Sequence, residues 1–423
     1  MVDRQEMLAL LAERKKGFSL AQPFYNDPGI FQLDLETIHY RDWLFAGHAC
    51  EIPKPGDYFL HEVGAYSVIV VRGQDGKIRA VHNTCRHRGS RLCKEERGSK
   101  KRLVCPYHQW SYDLDGTLVK ARNMGDDFDY ASFGLKSAHC EEVGGYIFVC
   151  VADQAPDFAP CRDQLAPYMD PHGLATDAKI AFESTIVEEG NWKLVWENNR
   201  ECYHCRGSHP ELCRTWSDSA VLNGAKADAA GPTNMAHWAR CEAVGLASRF
   251  KLSEGGQFRT TRQPLIDAAD SFTMSGRMAV TKPLGGIQER NIGSMLLFHY
   301  PSSWNHLLVD HAISFKVTPI NALQTKLTTK WLVHKDAVEG VDYDLKTLTE
   351  VWMATNDEDR TLVEQNQRGI NSPSYEPGPY APSDENGVVQ FVDWYCRWME
   401  KGLVNDTRAG DERAGGTRRL SVA

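Results

Sequence analysis

Long hydrophobic runs are missing from this chain. No stretch approaches the roughly 20 apolar residues that a membrane helix needs. The segment from Met1 to Phe18 is charged throughout, with Met7 to Ala12 as its longest apolar run, so neither a signal peptide nor a membrane span fits it. Positive charge is not in excess either. The 48 Lys and Arg stand against 56 Asp and Glu, a net charge of −8, which argues against nucleic acid or an anionic membrane as partner. There is no Gly-x-Gly-x-x-Gly dinucleotide fingerprint and no plant-type Cys-x₄-Cys-x₂-Cys set. Internal repeats and low-complexity blocks are absent as well. The twelve cysteines are too irregularly spaced to read as a disulfide scaffold in a chain of 423 residues. They suggest a reduced, cytoplasmic protein in which some cysteines bind metal.

The chain does have a cysteine–histidine excursion. Cys85-Arg86-His87 is followed, after seventeen residues, by Cys105-Pro106-Tyr107-His108. Two thiolates and two imidazoles could hold one tetrahedral zinc. Zinc modules, however, usually pair cysteine with cysteine in each knuckle, whereas each knuckle here mixes one Cys with one His. That arrangement suits a [2Fe–2S] cluster with two Cys on one iron and two His on the other, at a potential of about −150 to +300 mV. Gly89 would let the backbone approach such a cluster, and Pro106 would stiffen the second loop. The stretches Cys85 to Leu92 and Cys105 to Leu118 resemble the two loops of a Rieske domain from an oxygenase.

Apolar and charged contents of 42% and 25% are those of an ordinary globular protein, and the length predicts two domains. Residues 1–43 read as an N-terminal helical segment, with an apolar stripe over Arg4 to Lys16 and a short helix opening at Asp34. Residues 44–155 read as a small all-β domain with strands at Tyr58 to Val63, Tyr66 to Val71, Ile78 to His82 and Tyr146 to Val151. Residues 156–404 form the second domain. Strands are expected at Phe182 to Val187, Ser294 to Tyr300, His306 to Pro319 and Leu323 to His334. Helices are expected from Asn191 through His204, from Tyr343 to Arg368 and from Val388 to Lys401. Residues 217–290 read as long loops with short helices, and 405–423 as a flexible polar tail.

A second site lies in Glu201-Cys-Tyr-His204-Cys-Arg-Gly-Ser-His209. Five residues of helix turn a side chain by about 500°, so His204 and His209 cannot share a helical face. The helix is therefore expected to break between them, aided by Gly207, Ser208 and Pro210. Two His and one carboxylate on one face of Fe(II), with the remaining positions open to O₂, make the facial triad of non-haem oxygenases. Asp357, Glu358, Asp359 and Glu364 are the candidate carboxylates. Asp359 shares a helical face with Trp352, Thr355, Asn356 and Val363 and is preferred, with Asp357 as the alternative. Glu201, three residues before His204, is placed to hydrogen-bond that ring's second nitrogen. Cys202 and Cys205 could form an unrelated zinc knuckle, but are read as buried packing residues.

Gln22 to Asp27, Glu197 to Leu212, Trp331 to Asp344 and Asn366 to Asn371 resemble the oxygenase subunits of glycine betaine monooxygenases and stachydrine (proline betaine) demethylases, within the Rieske non-haem iron oxygenases. The resemblance covers nearly the whole chain and is weakest over 215–290. It implies an α+β protein: a Rieske domain plus a helix-grip catalytic domain, in which a curved antiparallel sheet surrounds a helix. It also implies a homotrimer in which His108 of one subunit lies near Glu201 of the next. A separate NAD(P)H-dependent flavin reductase with its own ferredoxin-like cluster would supply electrons. O₂ would then hydroxylate an N-methyl carbon of a quaternary ammonium betaine, and the hemiaminal would release formaldehyde. Aromatic faces bind such a cation at roughly 0.5–2 kcal/mol each, and Trp216, Phe298, Tyr300 and Trp304 are the candidates. Hydroxylation of an aromatic ring and simple electron carriage are the rival functions.

Overall fold

The β-branched and aromatic runs of the first half form strands, and the punctuating glycines form their turns. The computed structural model describes residues 1–216, 231–266 and 269–415; the loops expected at 217–230 and the last residues of the expected tail lie outside them. The β domain contains β1 (Leu44–His48), β2 (Asp57–Val63), β3 (Tyr66–Arg72), β4 (Ile78–His82), β5 (Arg97–Ser99), β6 (Leu103–Val104), β7 (Ser111–Tyr112), β8 (Leu118–Lys120), β9 (Ser137–Val143) and β10 (Tyr146–Cys150). Among the described residues these make a seven-stranded sheet, β1-β10-β9-β4-β3-β2-β5, and a small sheet, β6-β7-β8. Val68 to Val71 of β3 are all buried, so this central strand reads as a continuous apolar run.

The second domain is a curled antiparallel sheet of β11 (Ala178–Glu188), β12 (Lys251–Leu252), β13 (Phe258–Gln263), β14 (Ser294–His299), β15 (Ser303–Leu307), β16 (His311–Asn321) and β17 (Gln324–His334). Its order is β11-β17-β16-β15-β14-β13-β12. Helices α1 (Arg4–Glu13), α2 (Pro23–Asn26) and α3 (Pro28–Asp34) precede the β domain, and α4 (Ala159–Met169) follows it. Then come α5 (Trp192–Asn199), α6 (Cys205–Ser208), α7 (Pro232–Ala243), α8 (Leu345–Ile370) and α9 (Asn386–Gly415). Trp192 to Trp196 of α5 are all buried, which makes it a central helix packed by α8 and α9. No helix among the described residues is long and apolar enough to cross a membrane.

Met7, Leu11, Phe24, Tyr25 and Ile30 share one core with Trp192, Trp196 and Tyr395. Asp34 anchors that core from α3. Its carboxylate accepts from Lys193 Nζ, Trp192 Nε1 (3.0 Å) and Tyr395 Oη (2.7 Å), so the buried charge is paired and hydrogen-bonded. Phe45 and Phe148 of the β domain share another core with Met295 and Leu297 of β14. Across the same junction the backbone N–H of Phe45 donates to Ser302 Oγ at 2.8 Å.

Three expectations are corrected. Helix α5 stops at Asn199, short of the expected His204; the helical backbone does break between the two histidines, where α6 ends at Ser208 and His209 leaves the helix. The region expected as long loops with short helices contains, besides helix α7, the unexpected sheet strand β13. Strand β13 reads Phe-Arg-Thr-Thr-Arg-Gln yet is buried along its whole length, and its polar composition hid it from an apolar-period reading. Finally, α9 runs past Lys401 to Gly415, through residues expected to belong to a flexible tail.

Candidate metal centres and substrate cleft

The two Cys–His loops are built alike. In each, the Cys backbone N–H donates to the carbonyl five residues on, Ser90 for Cys85 (2.9 Å) and Trp110 for Cys105 (2.8 Å). In each, the Cys carbonyl accepts from the N–H four residues on, Gly89 or Gln109, both at 3.0 Å. That fourth residue is left-handed in both loops, with φ 77° at Gly89 and 61° at Gln109. Glycine adopts this conformation freely, whereas glutamine does so at a cost.

The donors sort by depth. Cys85 and Cys105 are buried, and burial followed by the neighbouring Cys105 pushes the Cys85 thiol up, although hydrogen bonds from Tyr112 and the backbone oppose this. The His87 and His108 rings lie 4.6 Å apart nearer the surface, and His87 stacks on Trp110 at 4.9 Å. Tyr112 supports the inner end, with its hydroxyl 3.4 Å from Cys85 Sγ and accepting the Arg86 N–H at 3.1 Å. Thiols paired inside and imidazoles paired outside suit two irons with unlike ligands.

The second site forms where α5 unwinds. The Glu201 carboxylate accepts from the backbone N–H groups of Tyr203 and His204 and from His204 Nδ1. A side chain that takes these amides competes with continued helix and gives a physical reason for its end. After the single turn of α6, His209 adopts φ −124°, ψ 68°, which carries its ring back toward His204. Helix α8 supplies Asp359 from its inner face. His204 Nε2 lies 3.0 Å from His209 Nε2, and Asp359 Oδ1 lies 3.4 and 3.0 Å from these two nitrogens. Asp357 points outward to Arg360, with 67% of its side chain exposed.

Residues 175–401 match the family described as ring hydroxylating alpha subunit (catalytic domain), and residues 42–137 match the Rieske [2Fe-2S] domain. The glycine betaine monooxygenase oxygenase subunit of Pseudomonas aeruginosa is 47% identical, over 96% of this chain and 94% of its own length. That of Chromohalobacter salexigens is 48% identical, over 92% of this chain and 88% of its own length. The chain belongs to the Rieske oxygenase alpha-subunit family. Among solved structures, a quaternary ammonium Rieske monooxygenase in complex with L-carnitine superposes with a TM-score of 0.68 at 21% identity, covering 92% of this chain and 98% of the other. A naphthalene 1,2-dioxygenase from Rhodococcus gives 0.68 at 17%, covering 94% and 98%. At such identities these two report the fold.

A Rieske oxygenase alpha subunit carries a [2Fe–2S] cluster and a mononuclear iron, and the second site fits the iron. His204 Nδ1 is turned to Glu201 and His209 Nδ1 to Glu358 Oε2 at 2.7 Å, so the two Nε2 atoms present lone pairs to one another and to Asp359 Oδ1. Asp359 Oδ1 is buried and receives no hydrogen bond. Three ligand atoms converging on one point call for a cation, a metal ion or a proton. Ligand atoms about 2.1 Å from an ion on one octahedral face stand about 3.0 Å apart, close to the spacings found. The electrostatics agree. Burial opposes charge on His204, but Asp359 and Glu201 outweigh it and lift the ring to about 10. Burial likewise opposes charge on Asp359, and the two histidines outweigh it and lower the carboxyl.

Cys202 and Cys205 are buried, as expected, but they are bonded to each other, which corrects the reading of them as reduced packing residues. Their α-carbons lie 4.9 Å apart on the turn that follows α5, within the reach of a disulfide. Cys205 Sγ also comes within 4.8 Å of a nitrogen of each histidine, but a disulfide sulfur is no thiolate ligand, which leaves Asp359 as the third donor.

A cleft opens beside the triad, and Trp216, Phe298 and Trp304 line it. Tyr300 is not among its lining residues. It is fully buried behind Phe298 and accepts a hydrogen bond from Arg200 Nε at 2.7 Å. Phe298 has its ring covered, by Tyr300 at 4.4 Å and by the guanidinium carbons of Arg200 and Arg259 at 4.2 and 4.9 Å. The aromatic wall left for a substrate is Trp216, Trp304, His306 and Trp352, with the buried Phe315 stacked behind Trp304 and Trp352 4.7 Å from His306. Sequence reasoning missed Arg259 because β13 was read as loop. It weighed Glu358 only as an iron ligand; one residue before Asp359, it is rotated about 100° around α8 and reaches the second nitrogen of His209.

Proposed function

We propose that this Rieske oxygenase is the terminal component of a system that N-demethylates a small quaternary ammonium betaine, such as glycine betaine or proline betaine, with release of formaldehyde. The observation that carries the reading is the wall of Trp216, Trp304, His306 and Trp352 beside the His204–His209–Asp359 triad. A quaternary nitrogen offers no hydrogen to a polar partner, so aromatic faces are its natural surroundings. The two glycine betaine monooxygenase oxygenase subunits, 47% and 48% identical over nearly the full length, support the same substrate class. When bound, the cluster supplies one electron and the mononuclear iron activates O₂ for attack on a methyl C–H bond.

The chain's residues divide the work. Cys85, Cys105, His87 and His108 hold the cluster, and His204, His209 and Asp359 hold Fe(II). Glu201 orients His204 through Nδ1 and forms the bridge toward a neighbouring cluster, while Glu358 orients His209. In the homotrimer implied by the resemblance, His108 of one subunit meets Glu201 of the next. NAD(P)H and flavin reside on a separate reductase. The test is a product assay with NAD(P)H and a Rieske-system reductase. Formaldehyde and a demethylated amine from betaines support the reading, whereas diols or phenols from arenes with no formaldehyde would reassign the enzyme to ring hydroxylation.

A further inference from the structure

The turn between α5 and α6 carries a feature that the proposed reaction does not use. Cys202 and Cys205 bracket Tyr203 and His204 and are joined in a disulfide, whereas the other ten cysteines of the chain are free. Both paired cysteines are nearly covered, at 6% and 4% exposure, yet both line the cleft together with His204, His209 and Asp359. Small molecules that reach the iron site therefore reach this bond. Cys205 Sγ also lies within 4.8 Å of a nitrogen on each histidine. As half of a disulfide the sulfur carries no charge and is held by Cys202; as a thiolate it is a metal ligand. A sulfur about 2.3 Å and a nitrogen about 2.1 Å from one ion, on adjacent octahedral corners, stand about 3.1 Å apart. Freed from Cys202, Cys205 Sγ has at most about 1.7 Å to close on either nitrogen, within the sweep of a change of rotamer.

We propose that Cys202 and Cys205 form a redox-exchangeable pair, and that its reduction makes Cys205 a fourth protein ligand to the mononuclear iron. In the reducing direction two molecules of a small thiol give up two electrons and two protons. They leave as their own disulfide, and Cys202 and Cys205 become thiols. Cys205 then releases its proton to solvent as its sulfur meets the metal. In the other direction hydrogen peroxide takes two electrons and two protons from the pair, leaving the disulfide and two molecules of water. The disulfide form offers the iron two imidazoles and one carboxylate. The dithiol form adds an anionic sulfur and holds the metal more tightly, so oxidation loosens the iron and reduction secures it. Other thiols compete poorly for peroxide. Burial pushes Cys50, Cys140 and Cys396 up to about 12, which leaves little of the reactive thiolate there. The inference needs the iron site and does not depend on which substrate enters.

The test replaces the mononuclear iron by cobalt(II), with the cluster in place, and compares protein with and without dithiothreitol treatment after the reductant is removed. Treatment is expected to raise the number of alkylatable cysteines by the two of this pair, located at Cys202 and Cys205 by peptide mass. It should also bring up an absorption band for thiolate-to-cobalt charge transfer. Zinc-loaded protein, which gives no such band, supplies the baseline that cancels the cluster. A chelator should then strip cobalt about tenfold or more slowly from the reduced form, in the range by which the surroundings of a metal alter its affinity. Cys202→Ser should show the band without dithiothreitol, and Cys205→Ser should show it under neither condition. Should the variants not hold cobalt, the comparison within the wild-type protein decides alone. Newly alkylated Cys202 and Cys205 without the band would overturn the proposal, as would a band that persists in Cys205→Ser. So would a pair that dithiothreitol leaves unreduced, or a reduced pair that hydrogen peroxide does not close again.

Discussion

At the scale of single residues the account rests on Asp359. Its Oδ1 completes a triangle with two imidazole nitrogens, while Asp357 faces Arg360 and solvent. Asp359→Ala is therefore expected to lower iron from about three to about two per chain and to leave the cluster's absorption and sulfide content unchanged. Metal analysis of purified protein checks this, and unchanged iron would shift the assignment away from Asp359. Glu201 acts at one remove. Glu201→Gln should keep both metals yet slow reoxidation of a pre-reduced cluster in single turnover by tenfold or more, an effect in the range of lost partners to metal-bound histidines. An unchanged rate with full iron would make the residue merely structural. Most of these residues were legible because ligand chemistry restricts residue type and spacing. Glu358 was not legible, because its role depends on which atom of a turn distant in sequence it faces. Gln109 was hidden differently: its left-handed backbone is a position that sequence rules assign to glycine.

At the scale of elements, the site depends on where α8 lies against the strand and turn that lead into α5. Gly190, in that turn, packs on Val363, one helical turn beyond Asp359. A Cβ built at Gly190 would stand 2.5 Å from Val363 Cγ1. Gly190→Ala should push α8 outward at a cost of about 1–3 kcal/mol, lowering the melting temperature and the iron content together. Loss of stability with full iron occupancy would show that α8 tolerates the shift without moving Asp359. Apolar alternation made strands such as β17 readable, whereas β13 was not, since its buried side chains include arginines, threonines and a glutamine. The end of α5 was equally out of reach. Residues 200–204 are acceptable in a helix, and only the Glu201 carboxylate, on backbone amides two and three residues ahead, shows why the helix stops.

At the scale of the whole molecule, the two metal sites sit in domains that share a core, and each presents an exposed tyrosine beside one of its histidines. Tyr107 is 57% exposed next to His108, and Tyr203 is 68% exposed next to His204. Outward-facing ends suit electron passage between subunits of the proposed trimer. Co-assembly of His108→Ala chains, which lack a working cluster, with Asp359→Ala chains, which lack the iron, should then restore activity that neither variant has alone. Mixed trimers as inactive as the parents would place the transfer within one chain.

The central claim is that this Rieske oxygenase oxidises an N-methyl group of a betaine, and a single-turnover product analysis tests it without any reductase. Protein reduced chemically at both metal sites is mixed with O₂ and methyl-labelled glycine betaine, then quenched, and formaldehyde and dimethylglycine are measured against iron content. The account predicts labelled formaldehyde and dimethylglycine in equal amounts, approaching one of each per occupied iron site, and neither product from Asp359→Ala. Reoxidation of the cluster with no labelled formaldehyde, alongside a diol formed from an arene under the same conditions, would contradict it.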